Sequence, residues 1–179
     1  GVLFLDAANR ENPTPSQGEL EATNPCGEQY LLPYENCCMA SINLAEHIKE
    51  DTKKKGIFPY SVDWEKLAET VELTVRWLDD VVDANKYVSA VPALEEAAKR
   101  NRRIGVSIMG LADMLYMIGV RYGSKDGVEF SEQVMEFIRF HTMYASNILA
   151  RERGAFPGIK GSRYDYSESN ITVMKTKNI

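Results

Sequence analysis

Asn24-Pro25-Cys26-Gly27-Glu28-Gln29 is the stretch on which the reading of this chain turns. Asn24, Cys26 and Glu28 are spaced two apart, and in an extended segment alternate side chains point to the same side. A helix would place the i+2 residue across its axis. Pro25 fixes its own φ and pushes Asn24 towards β or polyproline geometry, which predicts an extended segment here. Gly27 puts no side chain between thiol and carboxylate and lets another molecule come close to the backbone. An amide, a thiol and a carboxylate are therefore expected together on one exposed edge. A thiol S–H bond is close in homolytic strength to an activated C–H bond, so a cysteine radical could take a hydrogen atom from carbon and return it. The carboxylate could act as general base on a nearby hydroxyl, and the amide could hold that hydroxyl in register.

Outward from this stretch the chain alternates breakers with helical patterns. Residues 1–8 are apolar and fit a strand or a helix. Asn12-Pro13-Thr14-Pro15 excludes a helix through its two prolines, and Glu19 to Tyr34 reads as extended or looped. A short helix is expected over Ser41 to Lys49, and Asp51 to Gly56 reads as a solvated loop. Trp64, Leu67, Ala68, Val71, Val75, Leu78 and Val82 recur at helical spacing, with Ser61 or Asp63 as N-cap. Pro92 opens a second helix running to about Arg102, Ile104 to Ile108 is β-prone, and Leu111 to Ile118 is helical up to Gly119. A last long helix is expected from about Ser131 to Glu152, ended by Gly154 and Pro157. One or two strands make no sheet by themselves, so they need partners elsewhere.

The 179 residues are enough to bury a core, and 44% hydrophobic with 26% charged residues is ordinary for a soluble globular protein. No apolar run is long enough to span a bilayer, and no secretory signal is visible, so no membrane partner and a cytoplasmic setting are expected. A net charge of -5 argues against binding a nucleic acid polymer, though not against one nucleotide in a pocket. Cys26, Cys37 and Cys38 are an odd, clustered set that does not read as a secreted disulfide framework, and without C-x-x-C no structural zinc site is expected; metal ligands are none. The start at Gly1 and the polar stretch Ser167 to Ile179 read as the edges of a piece of something longer.

Asn24-Pro25-Cys26-Gly27-Glu28-Gln29, Leu31-Leu32-Pro33-Tyr34-Glu35-Asn36-Cys37 and Ser41-Ile42-Asn43-Leu44 together resemble the finger-loop region of ribonucleotide reductases. The Pro-Cys-Gly form is most similar to the adenosylcobalamin-dependent class. Asn12-Pro13-Thr14-Pro15, Gly18-Glu19-Leu20-Glu21-Ala22-Thr23, Arg103-Ile104-Gly105-Val106 and Met109-Gly110-Leu111-Ala112-Asp113 fit the same family pattern. The resemblance implies an α/β fold, a partial segment of a ten-stranded α/β barrel, mostly helical with a few short strands. Residues 1–157 would be the barrel segment, with the finger loop at about 19–38, and residues 158–179 a polar tail at a truncation edge. It implies reduction of ribonucleotides to 2′-deoxyribonucleotides, with Cys26 as thiyl radical, Glu28 as base on the 3′-hydroxyl and Asn24 as ligand of the sugar hydroxyls. Cys37 would be one of two reducing thiols, its partner lying before Gly1, so that the piece alone is inactive. Adenosylcobalamin would be the cofactor, its binding residues not located here. The partners implied are a ribonucleoside di- or triphosphate, a nucleotide effector, a thioredoxin- or glutaredoxin-type reductant and the rest of the same polypeptide. The sequence departs from the family at Cys38-Met39-Ala40, where Asn-Leu-Gly is common.

Two other readings stand beside this one. A metal-containing second subunit could deliver the radical to the same site. Alternatively the chain is a non-catalytic helical module whose thiol senses redox state or contacts a protein. A sensor cysteine usually has a basic neighbour or a helix N-terminus, whereas Cys26 has Glu28 two residues away, which disfavours the thiolate. Cys38 reads as a small buried hydrophobe. His141 reads as a half-buried residue of the last helix and His47 as a residue of a short exposed helix, neither catalytic.

Overall fold

The structure, a computed structural model, describes residues 2–53 and 55–165. In chain order its elements are α1 (Leu5–Arg10), β1 (Ala22–Thr23), β2 (Tyr30–Leu31), β3 (Cys38–Asn43), β4 (Ile48–Glu50), β5 (Tyr60–Val62), α2 (Trp64–Ala84), α3 (Pro92–Asn101), β6 (Ile104–Met109), α4 (Leu111–Ile118) and α5 (Lys125–Arg153). Short 3-10 turns cover Pro15–Gln17, Leu44–Glu46 and Pro157–Ile159. The fold is mixed α/β, about half helical with few strands, and three two-stranded ladders, β1–β2, β3–β6 and β4–β5, are formed among the described residues. The residues form two compact units, one made of Gly1–Cys38, Val82–Arg103 and the segment from Gly154, the other of Met39–Val81 and Ile104–Arg153.

The first unit is tied together by polar groups more than by apolar bulk. The Asn9 amide both donates to Leu20 O (3.0 Å) and accepts from Leu20 N (2.7 Å), which fastens α1 to the approach of β1. Leu20, Leu31 and Leu32 are its buried leucines. The turn at Pro157–Ile159 packs on α3 so closely that a Cβ on Gly158 would collide with Asn101 Oδ1. Ser162 is buried, and Arg163 N donates to Pro13 O at 2.8 Å. Residues 158–165 are thus packed into this unit, and the remainder of the expected tail lies outside the described residues.

The second unit holds a conventional core. The helical stripe read from the sequence places Leu67 and Val71 of α2 against Leu44, Met114, Val134 and Ile138, all essentially without solvent exposure. Burying each of the larger of these side chains is worth about 1.5–3 kcal/mol. Of the two candidate caps, Asp63 serves: its carboxylate accepts from Lys66 N at 3.3 Å. Helix α5 starts earlier than the expected Ser131. Ser124 Oγ caps it by accepting from Gly127 N (3.1 Å), and Gly127 is required because a Cβ there would meet Arg121 O at 2.6 Å.

The helix expected over Ser41 to Lys49 is not formed. Residues 38–43 are β3, the partner that β6 needed, and Ile48–Glu50 pairs antiparallel with Tyr60–Val62. Between these strands the Asn43 side chain accepts from Ala45 N at 3.2 Å, the self-capping that makes asparagine a turn residue. His47, expected on an exposed helix, is instead 5% exposed, its Nδ1 donating to Asn43 O (2.8 Å) and its Nε2 bonded to Thr70 Oγ1 (2.9 Å). His141 is half-buried on α5 as expected, with Nδ1 2.7 Å from Glu72 Oε1. Among the described residues no helix is long and apolar enough to cross a membrane.

Candidate active site

All four residues singled out from the sequence, Asn24, Cys26, Glu28 and Cys37, belong to the first unit. The stretch predicted to be extended is a hairpin loop. Ala22 pairs with Leu31 and Thr23 with Tyr30, so the chain must reverse between residues 24 and 29. Pro25 acts here as the second residue of a tight turn, where its fixed φ is an advantage, and Gly27 N closes the turn on Asn24 O at 3.0 Å. Gly27 takes φ +86 with open space around its missing Cβ, so glycine is demanded by the backbone angle and not by crowding.

Asn24 is the hub of this loop. Its backbone N–H donates to Gln29 O (3.2 Å), its side-chain oxygen accepts from Gln29 N (3.1 Å), and its side-chain nitrogen donates to Glu28 Oε1 (2.5 Å). Only a side chain with both a donor and an acceptor can make this set. The sequence reading put Asn24 and Glu28 together for the wrong geometric reason. A strand would have kept them on a common face, whereas the turn brings them into direct contact. Cys26 lies in the turn and is exposed, as is Glu28, whose bond to Asn24 uses Oε1 and leaves Oε2 to accept a proton.

Cys37 is presented differently. Leu32 O accepts from Glu35 N at 3.1 Å, and Tyr34 takes φ 62, so Pro33-Tyr34 forms a second tight turn two residues ahead of the thiol. The Glu35 side chain is 1% exposed and its two oxygens receive four donors: Leu32 N (2.9 Å) and Arg103 Nε (3.0 Å) on one, Asn101 Nδ2 (2.7 Å) and Arg103 Nη2 (3.1 Å) on the other. Arg103 also donates to Thr14 Oγ1 (3.2 Å), and Thr14 N donates to Asn12 Oδ1 (2.9 Å). Cys37 is half-buried, and its pKa is pushed up from 9.0 to about 11. Burial is the main cause; Cys38, Glu28 and Glu35 add to it, and Arg103 opposes it. The thiol is therefore protonated at neutral pH and able to give up a proton or hydrogen atom. Burial also raises the Cys38 thiol.

The sequence reading did not assign roles to Glu35, Asn101 or Thr14. A glutamate in a loop reads as solvated, and only the meeting of α3, the 12–14 segment and the Pro33-Tyr34 turn makes it a buried anion. Among the described residues no group of three or more His, Cys, Asp and Glu side chains is placed to hold a metal ion.

The family model described as "Ribonucleotide reductase, barrel domain" matches residues 1–178. A vitamin B12-dependent ribonucleoside-diphosphate reductase of Thermoplasma acidophilum is 43% identical over 165 residues, covering 92% of this chain and 20% of its own length. One from Mycobacterium tuberculosis is 44% identical over 164 residues, covering 92% of this chain and 22% of its own length. A ribonucleoside-diphosphate reductase subunit alpha of Chlamydia pneumoniae is 34% identical over 168 residues, covering 92% of this chain and 15% of its own length. The chain thus spans about a fifth of the length of these vitamin B12-dependent relatives. The class Id ribonucleotide reductase alpha subunit of Actinobacillus ureae superposes with a TM-score of 0.66 over 88% of this chain and 30% of that one, at 19% identity, a likeness of fold.

Proposed function

Because the chain belongs to the ribonucleotide reductase barrel family, we propose that it carries the radical loop of an enzyme that reduces ribonucleotides to 2′-deoxyribonucleotides. The observation that carries this reading is the Asn24–Glu28 hydrogen bond within a tight loop whose turn exposes Cys26. In the proposed reaction a Cys26 thiyl takes the ribose 3′-hydrogen while Glu28 Oε2 accepts the 3′-hydroxyl proton and Asn24 helps to hold the hydroxyls. The 2′-hydroxyl leaves as water with the proton of Cys37, and the hydrogen of a second thiol elsewhere in the polypeptide takes its place at C2′. The two sulfurs supply two electrons and end as a disulfide, Glu28 returns its proton to the 3′-oxygen, and Cys26 returns its hydrogen atom to C3′. The raised Cys37 pKa suits this step, which needs the thiol and not the thiolate.

The same reading takes residues 1–157 as part of a ten-stranded α/β barrel, with about 19–38 as its finger loop. Adenosylcobalamin would supply the radical equivalent; an exposed thiol in a loop turn is what such a source has to reach. The relatives' names favour this class and a ribonucleoside diphosphate substrate. A nucleotide effector, a thioredoxin- or glutaredoxin-type reductant and a cytoplasmic setting complete the proposal.

The test is reduction of ribonucleotides by the full-length protein with and without adenosylcobalamin, no second subunit added. Cobalamin-dependent turnover is expected, and Cys26→Ser should abolish it while nucleotide binding survives. Appreciable turnover by Cys26→Ser would overturn the radical assignment. Turnover only with an added metal-containing subunit would reject the cobalamin reading, and none under any condition would favour the non-catalytic thiol module.

A further inference from the structure

The buried ion pair of the first unit is built more elaborately than the surface around it requires. A carboxylate that is 1% exposed receives four donors from three residues, and its guanidinium partner, 10% exposed, also reaches Thr14. Burying an ion pair rarely stabilises a fold over a well-packed apolar pair of the same volume, so such a pair calls for another reason. Its location supplies one: Glu35 is two residues from Cys37, and both Glu35 and Arg103 act electrostatically on that thiol in opposite senses.

We propose that Glu35 and Arg103 are positioning residues for Cys37, fixing the turn that presents the thiol and setting opposed charges close to its sulfur. The four hydrogen bonds to Glu35 lock the Leu32–Glu35 turn, whose second central residue is a tyrosine held at φ 62, a conformation a bulky side chain seldom adopts unaided. Arg103 alone would draw the thiol towards its thiolate, and Glu35 alone would add to Glu28 in pushing it the other way. Together they hold the thiol in one place, with the pull of Arg103 towards the thiolate partly cancelled by Glu35. For its meaning in catalysis this inference rests on the reading of Cys37 as a reducing thiol.

The experiment reads the sulfur directly, without substrate, so it can fail while the reductase assay succeeds, and the reverse. Alkylation of Cys37 by iodoacetamide at mildly alkaline pH is followed by mass spectrometry in the full-length protein. Glu35→Gln leaves Arg103 unopposed and should speed labelling roughly twofold, and Arg103→Met leaves Glu35 unopposed and should slow it by a larger factor, roughly threefold or more. A merely structural pair would loosen the site in both variants and move both rates the same way. Shifts of one sign, or none in either, overturn the proposal. Should a single substitution prevent folding, Arg103→Lys and the double variant Glu35→Gln/Arg103→Met decide the matter. The lysine variant should label at the parent rate and the double variant more slowly, because Arg103 acts on Cys37 more strongly than Glu35 does. Any other order overturns it.

Discussion

Asn24→Asp changes one amide nitrogen of the hairpin loop into an oxygen, and its consequence can be worked out bond by bond. The acceptor for Gln29 N at 3.1 Å is kept, while the donor to Glu28 Oε1 at 2.5 Å is lost and a second carboxylate takes its place. A solvent-exposed hydrogen bond to a charged acceptor is worth about 1 kcal/mol. Two carboxylates about 4 Å apart in water repel by about 1 kcal/mol more. The closed loop should therefore lose about 2 kcal/mol, roughly a 30-fold fall in the ratio of closed to open. Asn24→Ala removes both side-chain bonds and adds no repulsion, so its loss is similar, about 2 kcal/mol. Salt separates the two variants. Added salt screens the repulsion between the introduced carboxylate and Glu28, whereas the alanine variant has no repulsion to screen. The assay is amide hydrogen exchange at Gly27 and Gln29, whose N–H groups both donate to Asn24. At neutral pH both variants should exchange faster than the parent, relative to intrinsic rates, by about the 30-fold given above. At high salt only the aspartate variant should regain part of its protection. Parent-like protection in both, or an identical response to salt, would refute the account of Asn24 as the hub of the loop.

Other consequences are equally direct. Gly110→Ala drives a Cβ into Asn43 Oδ1 at a φ of +72, so it should cost about 2–3 kcal/mol in denaturant unfolding by displacing the cap of the Leu44–Glu46 turn. His47→Leu deprives Asn43 O and Thr70 Oγ1 of their ring partner inside the second unit, and a loss of about 2 kcal/mol is expected; a neutral result would mean that water replaces the imidazole. The folded Cys37 thiol holds its proton more tightly than an unfolded one, with a pKa of about 11 against 9.0. That contribution to stability is full below pH 9 and drains away as the pH rises towards 11. The denaturant midpoint of the parent should consequently fall relative to Cys37→Ser across that window, and parallel curves would argue against the shift.

Much of this protein could be read along the chain because its local signals agree with its final contacts. The stripe from Trp64 to Val82 is a helix whose inward residues Leu67, Val71 and Val75 are buried, and Pro92, Gly119 and Gly154 mark the ends they were expected to mark. Helical periodicity and breakers are properties of a few neighbouring residues, so they survive without knowledge of the fold. Asn24, Cys26 and Glu28 read from their spacing as an amide, a thiol and a carboxylate on one edge, whereas Cys37 takes its role from the family resemblance alone. What local signals could not decide is anything set by distant partners. The 41–49 segment has no strong preference of its own, and it became two strands because β6 and β5 lie beside it to complete its backbone hydrogen bonds. Pro25 is compatible with a strand edge or a tight turn, and the pairing of Ala22 with Leu31 chose the turn. Glu35 became a buried anion because Arg103, Asn101 and Leu32 N, two of them more than sixty residues away along the chain, converge on it. Burial of charge depends on which segments meet, and that is decided only when the chain has closed on itself.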